Sequence, residues 1–227
     1  MDASTFTALA SLAGYLIGSL SFAVIVSRLM RLDDPRTYGS KNPGATNVLR
    51  SGNRAAAVLT LALDALKGYV PVVLAAWVAA EHRLSSDATE WALGCVGLAA
   101  FLGHLWPVFF RFQGGKGVAT AVGVLFGLNP WLGLASLATW LIIAAFFRYS
   151  SLASLVAAVF APFFQLFGWG GGPIALVLVV MAFLLFWRHQ GNIRKLIAGT
   201  ESKLGARAAP PAASPTRPVA RRRQRSR

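Results

Sequence analysis

Residues 117–148 read GVATAVGVLFGLNPWLGLASLATWLIIAAFFR, and the way this run is divided decides the fold. A bilayer core about 30 Å thick takes about 20 apolar residues of helix. The first piece, 117–128, would be only about 18 Å long at 1.5 Å per residue, and Asn129-Pro130 separates it from the second, 131–147. It is tilted, broken, or continuous with its successor. Five further apolar segments surround the run, at roughly 4–27, 55–80, 91–110, 152–167 and 172–187. Counts of five or six crossings also fit this hydropathy.

Loop charge decides for seven. With the N-terminus outside, alternate loops carry Arg28, Arg31, Arg36, Lys41, Arg50 and Arg54, then Arg111 and Lys116, then Arg148, then everything from Arg188 onward. Those loops hold all but two of the 22 Lys and Arg; Arg83 alone lies in an opposite loop, beside Asp2, Glu81, Asp87 and Glu90. Cytoplasmic loops are enriched in Lys and Arg, and a five-span count leaves Arg148 without a place. The sequence therefore predicts an all-α, polytopic integral membrane helical bundle of seven transmembrane helices, N-terminus outside and C-terminus cytoplasmic. The first segment has no Lys or Arg before Arg28 and no convincing cleavage site, so it reads as a retained span rather than a signal peptide.

Composition agrees. Of the 227 residues 56% are hydrophobic and 13% charged, and the mean hydropathy is +0.57. A soluble domain is about a quarter charged. The net charge of +14 resembles a nucleic-acid signal, but seven of the basic residues fall between Arg207 and Arg227, in a Pro/Ala/Arg stretch without an aromatic residue. Such a stretch builds no packed core; it suits contact with anionic headgroups, at about 1 kcal/mol per basic residue, or has no role. The chain is thus divided into a membrane domain, 1–205, and a disordered basic tail, 206–227. The lone Cys95 sits in an apolar run and reads as a small buried side chain.

Three polar clusters lie on the basic side. The first is YGSKNPGATNVLR, 38–50. Its glycines, small hydroxyls, asparagines and flanking cations suit backbone amides turned toward an anion, and equally an ordinary Gly/Asn/Pro turn. The second, 103–120, ends in Gly114-Gly115-Lys116-Gly117 running into a helix. Free N–H groups, a helix N-terminus and an ammonium then meet at one point, which suits phosphate; a flexible hairpin with a snorkelling lysine is the plainer alternative. No Ser or Thr follows Lys116 and no strand precedes it, so this is not a nucleotide-binding P-loop. The third, RHQGNIRK at 188–195, places His189 and Asn192 three apart on one helical face. Ser151 and Ser154 open the sixth segment and could be no more than caps.

Asp64 and Lys67 share a face inside the second segment. Charge at a helix centre costs about 2.5–3.5 kcal/mol per residue, which pairing offsets, so a structural ion pair is expected; a proton or ion path is the alternative. The three histidines lie on separate segments, and only Asp33, Asp34 and Glu201 are acidic on the basic side. A protein-held metal or a carboxylate-pair hydrolase would lack ligands.

Together, Gly18-Ser19-Leu20-Ser21-Phe22, GSKNPGATNVLR, LDALKG at 63–68, GHLWPVFFRFQGGKGVAT, Ser151-Leu152-Ala153-Ser154 and HQGNIRKLIAGTESKLG resemble the bacterial acyl-phosphate:glycerol-3-phosphate acyltransferase family over residues 10–205. The resemblance implies a seven-helix enzyme of the bacterial inner membrane with a cytoplasmic active site. Such an enzyme acylates the 1-hydroxyl of glycerol-3-phosphate from acyl phosphate, with no cofactor, metal, acyl-CoA or acyl carrier protein. It assigns Ser40, Arg50, His189 and Asn192 to catalysis. Gly44, Thr46, Asn47, Gly114, Gly115, Lys116, Gly117 and Ser154 go to substrate and phosphate binding, and Glu201 to a structural role. Pro43, Gln113 and Ser202 stand where the family often has Ile, Lys and Pro; Gln113 removes a cation near the loop. A transporter for phosphorylated solutes and a membrane scaffold are the competing classes. The first predicts a polar midplane, and the second leaves the basic glycine loops without a purpose.

Overall fold

The computed structural model describes residues 2–205; the basic tail from 206 lies outside them. Ten α-helices follow one another: α1 (Ala3–Gly18), α2 (Phe22–Leu29), α3 (Ala45–Val48), α4 (Arg54–Glu81), α5 (Ser86–Leu105), α6 (Val118–Leu128), α7 (Pro130–Phe147), α8 (Ser150–Trp169), α9 (Pro173–Arg188) and α10 (Gln190–Ile197), with no strand among the described residues. Among these residues, five spans are long and apolar enough to cross a membrane unaided, and α9 with α10, bent by 62°, makes a sixth candidate. The eleven residues of α6 reach about 16 Å. That is short of a bilayer core, as its sequence indicated.

The ends follow local chemistry. Asn129 caps α7 with its side-chain oxygen on Trp131 N–H at 2.9 Å, and Pro130, which has no N–H to lose, takes the first helical position. Trp106-Pro107 stops α5 at Leu105, because the residue before proline is steered out of the helical region. The first segment differs from a continuous helix: it breaks at Ser19–Ser21, where Ser19 Oγ folds back on Tyr15 O at 2.8 Å and the Leu20 carbonyl accepts Lys67 Nζ at 2.7 Å. The expected ion pair forms at 2.8 Å between Lys67 Nζ and Asp64 Oδ1, both almost fully buried.

Helix α1 packs along α5, α4 along α6, and α7 along α8. The α4–α6 contact depends on small residues: a Cβ on Gly68 would fall 2.2 Å from Thr120 O, and one on Gly123 would fall 1.9 Å from Ala65 O. In lipid, where apolar side chains gain nothing by leaving water, such close backbone packing drives helix association. It sets the height of α6, and with it the glycine loop before α6.

Candidate active site

Three segments meet at one end of the bundle: 35–51, Trp106–Gly117, and the α9–α10 junction with the residues up to Leu204. In the first, buried Asn47 organises the loop. Its Oδ1 accepts Ser40 N–H at 3.0 Å, and its Nδ2 donates to Pro35 O at 2.7 Å and Tyr38 O at 3.2 Å. Gly39 has φ +57°, and a Cβ there would lie 2.4 Å from Asn47 Oδ1 and 3.2 Å from Arg50 Cδ, so Arg50 crosses over a residue that has to be glycine. Ser40 and Thr46 are exposed. Gly44 caps α3, its carbonyl receiving the N–H groups of Asn47 and Val48.

In the second segment the Gly114 and Gly115 carbonyls are held by Arg188, through Nη2 at 2.8 Å and Nε at 3.0 Å. Gly115 N–H donates to His104 O at 3.1 Å. Gly117 takes φ +86° beneath the Phe101 ring and starts α6. The first N–H groups of a helix have no partner within it. Here they follow directly after Lys116.

Lys116 is the centre of the cluster. Its ammonium donates to Asn192 Oδ1 at 2.5 Å, Asn192 Nδ2 donates to Glu201 Oε1 at 2.7 Å, and the same oxygen accepts Ser151 Oγ at 2.7 Å. Burial lowers the Lys116 pKa to about 8; Glu201 opposes the shift, and Arg50, Lys195 and Arg188 add to it. Arg50 Nη2 reaches Ser202 Oγ at 2.7 Å, and Leu204 N–H pairs with Arg148 O at 2.7 Å, so residues after α10 fold back across the mouth. The cations outnumber the single carboxylate, which makes the mouth a receptor for anions.

His189 lies just past α9, buried, with Nδ1 2.8 Å from Leu185 O. A carbonyl only accepts, so Nδ1 carries the hydrogen and Nε2 is left as an acceptor. Burial, with Lys116 and Arg188 nearby, pushes its pKa down to about 4, leaving the ring neutral near pH 7. Ser154 sits a turn deeper than Ser151, donating to Ser150 O at 2.8 Å and accepting Trp140 Nε1 at 3.0 Å. It borders an apolar groove between α6, α7, α8 and α9, lined by Val118, Leu125, Trp140, Ala158, Leu178 and Leu185, which begins one residue beyond the glycine loop.

The fold thus brings Arg50, Lys116, Asn192, Glu201 and the Gly114–Gly117 loop to one place. Ser40 and Thr46 stand on the rim, Asn47 and Gly44 shape their own loop, and Ser154 opens on the groove. Sequence reasoning missed Arg188 as the clamp of the loop carbonyls and Ser151 as the Glu201 partner; a lone Arg ending an apolar helix was the only signal for the first.

A family model described as glycerol-3-phosphate acyltransferase matches residues 8–199. Glycerol-3-phosphate acyltransferases of Burkholderia ambifaria and Burkholderia multivorans are 62% and 63% identical over 199 residues, covering 87% of this chain and 90% of each relative. The chain is also similar to the crystal structure of PlsY, an integral membrane glycerol 3-phosphate acyltransferase, in its glycerol 3-phosphate form. The identity is 38% and the TM-score 0.79, over 88% of this chain and 96% of that one. A lysophosphatidic acid form of PlsY superposes with a TM-score of 0.77 at 38% identity, over 87% and 94%. The chain belongs to the glycerol-3-phosphate acyltransferase family and is a multi-pass integral membrane acyltransferase.

Proposed function

We propose that this protein transfers a fatty acyl group from an acyl phosphate to the 1-hydroxyl of glycerol-3-phosphate, giving lysophosphatidic acid and inorganic phosphate. The single observation that carries the reading is the Lys116 ammonium, buried in the glycine loop and held by Asn192. Both substrates are phosphate anions that repel each other; Lys116, Arg50 and the loop N–H groups offset that repulsion and hold the two together. The solved glycerol 3-phosphate and lysophosphatidic acid forms of PlsY support the same acceptor and product.

In the transfer, the glycerol 1-oxygen forms a bond to the acyl carbonyl carbon, the carbonyl–phosphate C–O bond breaks, and phosphate leaves with the electron pair. The hydroxyl proton passes to a substrate phosphate oxygen, with His189 Nε2 accepting a hydrogen bond that orients the glycerol. A ring with a pKa near 4 is a weak base, which favours this route over proton abstraction by His189. The mixed anhydride is already activated, so the protein's tasks are positioning and charge stabilisation. The apolar groove beyond Val118 receives the acyl chain.

The orientation follows the loop charges: seven crossings, namely α1 with α2, then α4, α5, α6, α7, α8 and α9, with the mouth on the cytoplasmic side of the bacterial inner membrane. A transporter is disfavoured, because the charges between the two ends of α4, Asp64 and Lys67, close on each other as a buried pair. Purified protein mixed with palmitoyl phosphate and labelled glycerol-3-phosphate is expected to form lysophosphatidic acid, and palmitoyl-CoA is expected not to replace the donor. Folded protein that forms no product with the acyl phosphate overturns the reading.

A further inference from the structure

Below the mouth lies a buried polar group to which the reaction assigns no task. His104 Nδ1 stands 3.2 Å from Thr120 Oγ1 and 3.7 Å from Asp64 Oδ1. Thr120 Oγ1 is 3.0 Å from the Asp64 carbonyl and donates to it. Lys67 Nζ neutralises Asp64 and donates to Leu20 O in the α1–α2 break. One network therefore ties the broken first segment, α4, α5 and the first turn of α6.

We infer that His104, held by Thr120 and the Asp64–Lys67 pair, is a positioning residue for the phosphate-binding glycine loop.

Two independent contacts reach that loop. The His104 carbonyl takes the Gly115 N–H, and the His104 ring fills the space where a side chain on residue 115 would stand: a Cβ there would lie 2.2 Å from Nε2. The tautomer follows from hydrogen-bond direction. The Thr120 hydroxyl has one hydrogen, and the Asp64 carbonyl, able only to accept, takes it; so Nδ1–H donates to Thr120 Oγ1. The bond fixes the ring plane and fastens it to the residue three beyond Gly117. The glycine loop is thereby fixed at Gly115 by the His104 carbonyl and the packed ring, and at the start of α6 by the imidazole's bond to Thr120. Without that clamp its amides would have to be ordered by the substrate, at a cost in affinity.

The inference deepens the acyl-transfer reading, so its test has a readout that needs no reaction. Binding of inorganic phosphate is measured by calorimetry on the purified protein, beside KM and kcat with each substrate varied in turn. In His104→Asn the side-chain N–H falls where Nδ1–H lies, whereas in His104→Gln it reaches the Nε2 position instead. The Asn variant is expected to keep phosphate affinity and KM within about threefold of wild type. The Gln variant is expected to weaken both at least tenfold, with a smaller loss of kcat. Losses of 10²–10⁴ in kcat alone, in both variants, would make the ring a catalytic base and overturn the inference. Unchanged affinity, KM and kcat per folded molecule, with only a lower melting temperature, would make it plain packing and overturn it too. If the histidine variants do not fold, Thr120→Ser and Thr120→Val carry the same test: the serine keeps wild-type affinity and the valine loses tenfold, and equal affinity in the two overturns the inference. Wild-type protein that binds phosphate yet makes no lysophosphatidic acid would reject the reaction and leave this inference standing.

Discussion

Ser202 Oγ lies 2.7 Å from Arg50 Nη2, joining residues 152 positions apart across the mouth of the site. A hydroxyl is a weak partner for a guanidinium, and a phosphate is a strong, bidentate one. The contact therefore holds Arg50 in place without competing for it.

A carboxylate at position 202 would compete. Ser202→Asp is expected to raise KM for a phosphate substrate by about tenfold, equivalent to about 1.4 kcal/mol of lost binding. Ser202→Ala is expected to stay within about threefold of wild type. Steady-state kinetics on both variants checks this, and equal KM values would remove Arg50 from phosphate binding.

Lys116 gives the site an alkaline limb. Its pKa in the free protein is lowered to about 8, mainly by burial. Below pH 8 the ammonium is charged and ready for phosphate; above pH 8 it is increasingly neutral, and binding has to restore the proton. KM is therefore expected to rise above pH 8, approaching about tenfold per pH unit, while kcat at saturation changes less. Lys116→Arg, which stays charged, is expected to bind less well at neutral pH but to lose the alkaline rise. A KM profile flat to pH 10 in wild type contradicts the assignment.

His189 separates positioning from proton abstraction. Its Nδ1–H is committed to Leu185 O and its pKa is near 4, so the ring enters the reaction neutral and weakly basic. His189→Gln, able to accept a hydrogen bond through its amide oxygen, is expected to retain kcat within about tenfold, because loss of a general base costs 10²–10⁴. A larger fall returns the proton to the histidine.

The glycines divide into three groups. Gly115→Ala drives a methyl against His104 Nε2 at 2.2 Å and Pro43 O at 2.8 Å, and is expected to raise KM more than it lowers the yield of folded protein. Gly117→Ala meets the Phe101 ring at 2.2 Å with φ +86°, and is expected to lower folded yield first. Gly52→Ala has a similar φ of +87° with open space around it, so only about 1 kcal/mol of backbone cost is expected, with activity unchanged. Folded yield by size exclusion in detergent, alongside KM, orders the three.

The helical segments were legible because apolar runs of membrane length need no partner to be recognised. Asn129-Pro130 marked the boundary between α6 and α7, whereas Trp106-Pro107 fell inside the expected segment 91–110 and the structure ends α5 before it, at Leu105. The i,i+3 spacing of Asp64 and Lys67 was enough to expect their pair. The glycine loop before α6 was legible as a local motif, since backbone conformation and helix ends are properties of adjacent residues.

Other relationships were decided only by the tertiary structure. The break at Ser19–Ser21 depends on an ammonium from α4, nearly fifty residues away. That Lys116 meets Asn192, that Glu201 gathers Asn192 and Ser151, and that Ser202 reaches Arg50 depend on how α6, α8 and α10 are set against one another. Ser151 and Ser154, three residues apart, look alike in sequence; helical rotation and depth turn one to the charged cluster and the other to Trp140 and the apolar groove. Local sequence thus determined which groups could bind an anion. Which of them share one site was fixed by close glycine packing between helices, because only that sets their heights and rotations.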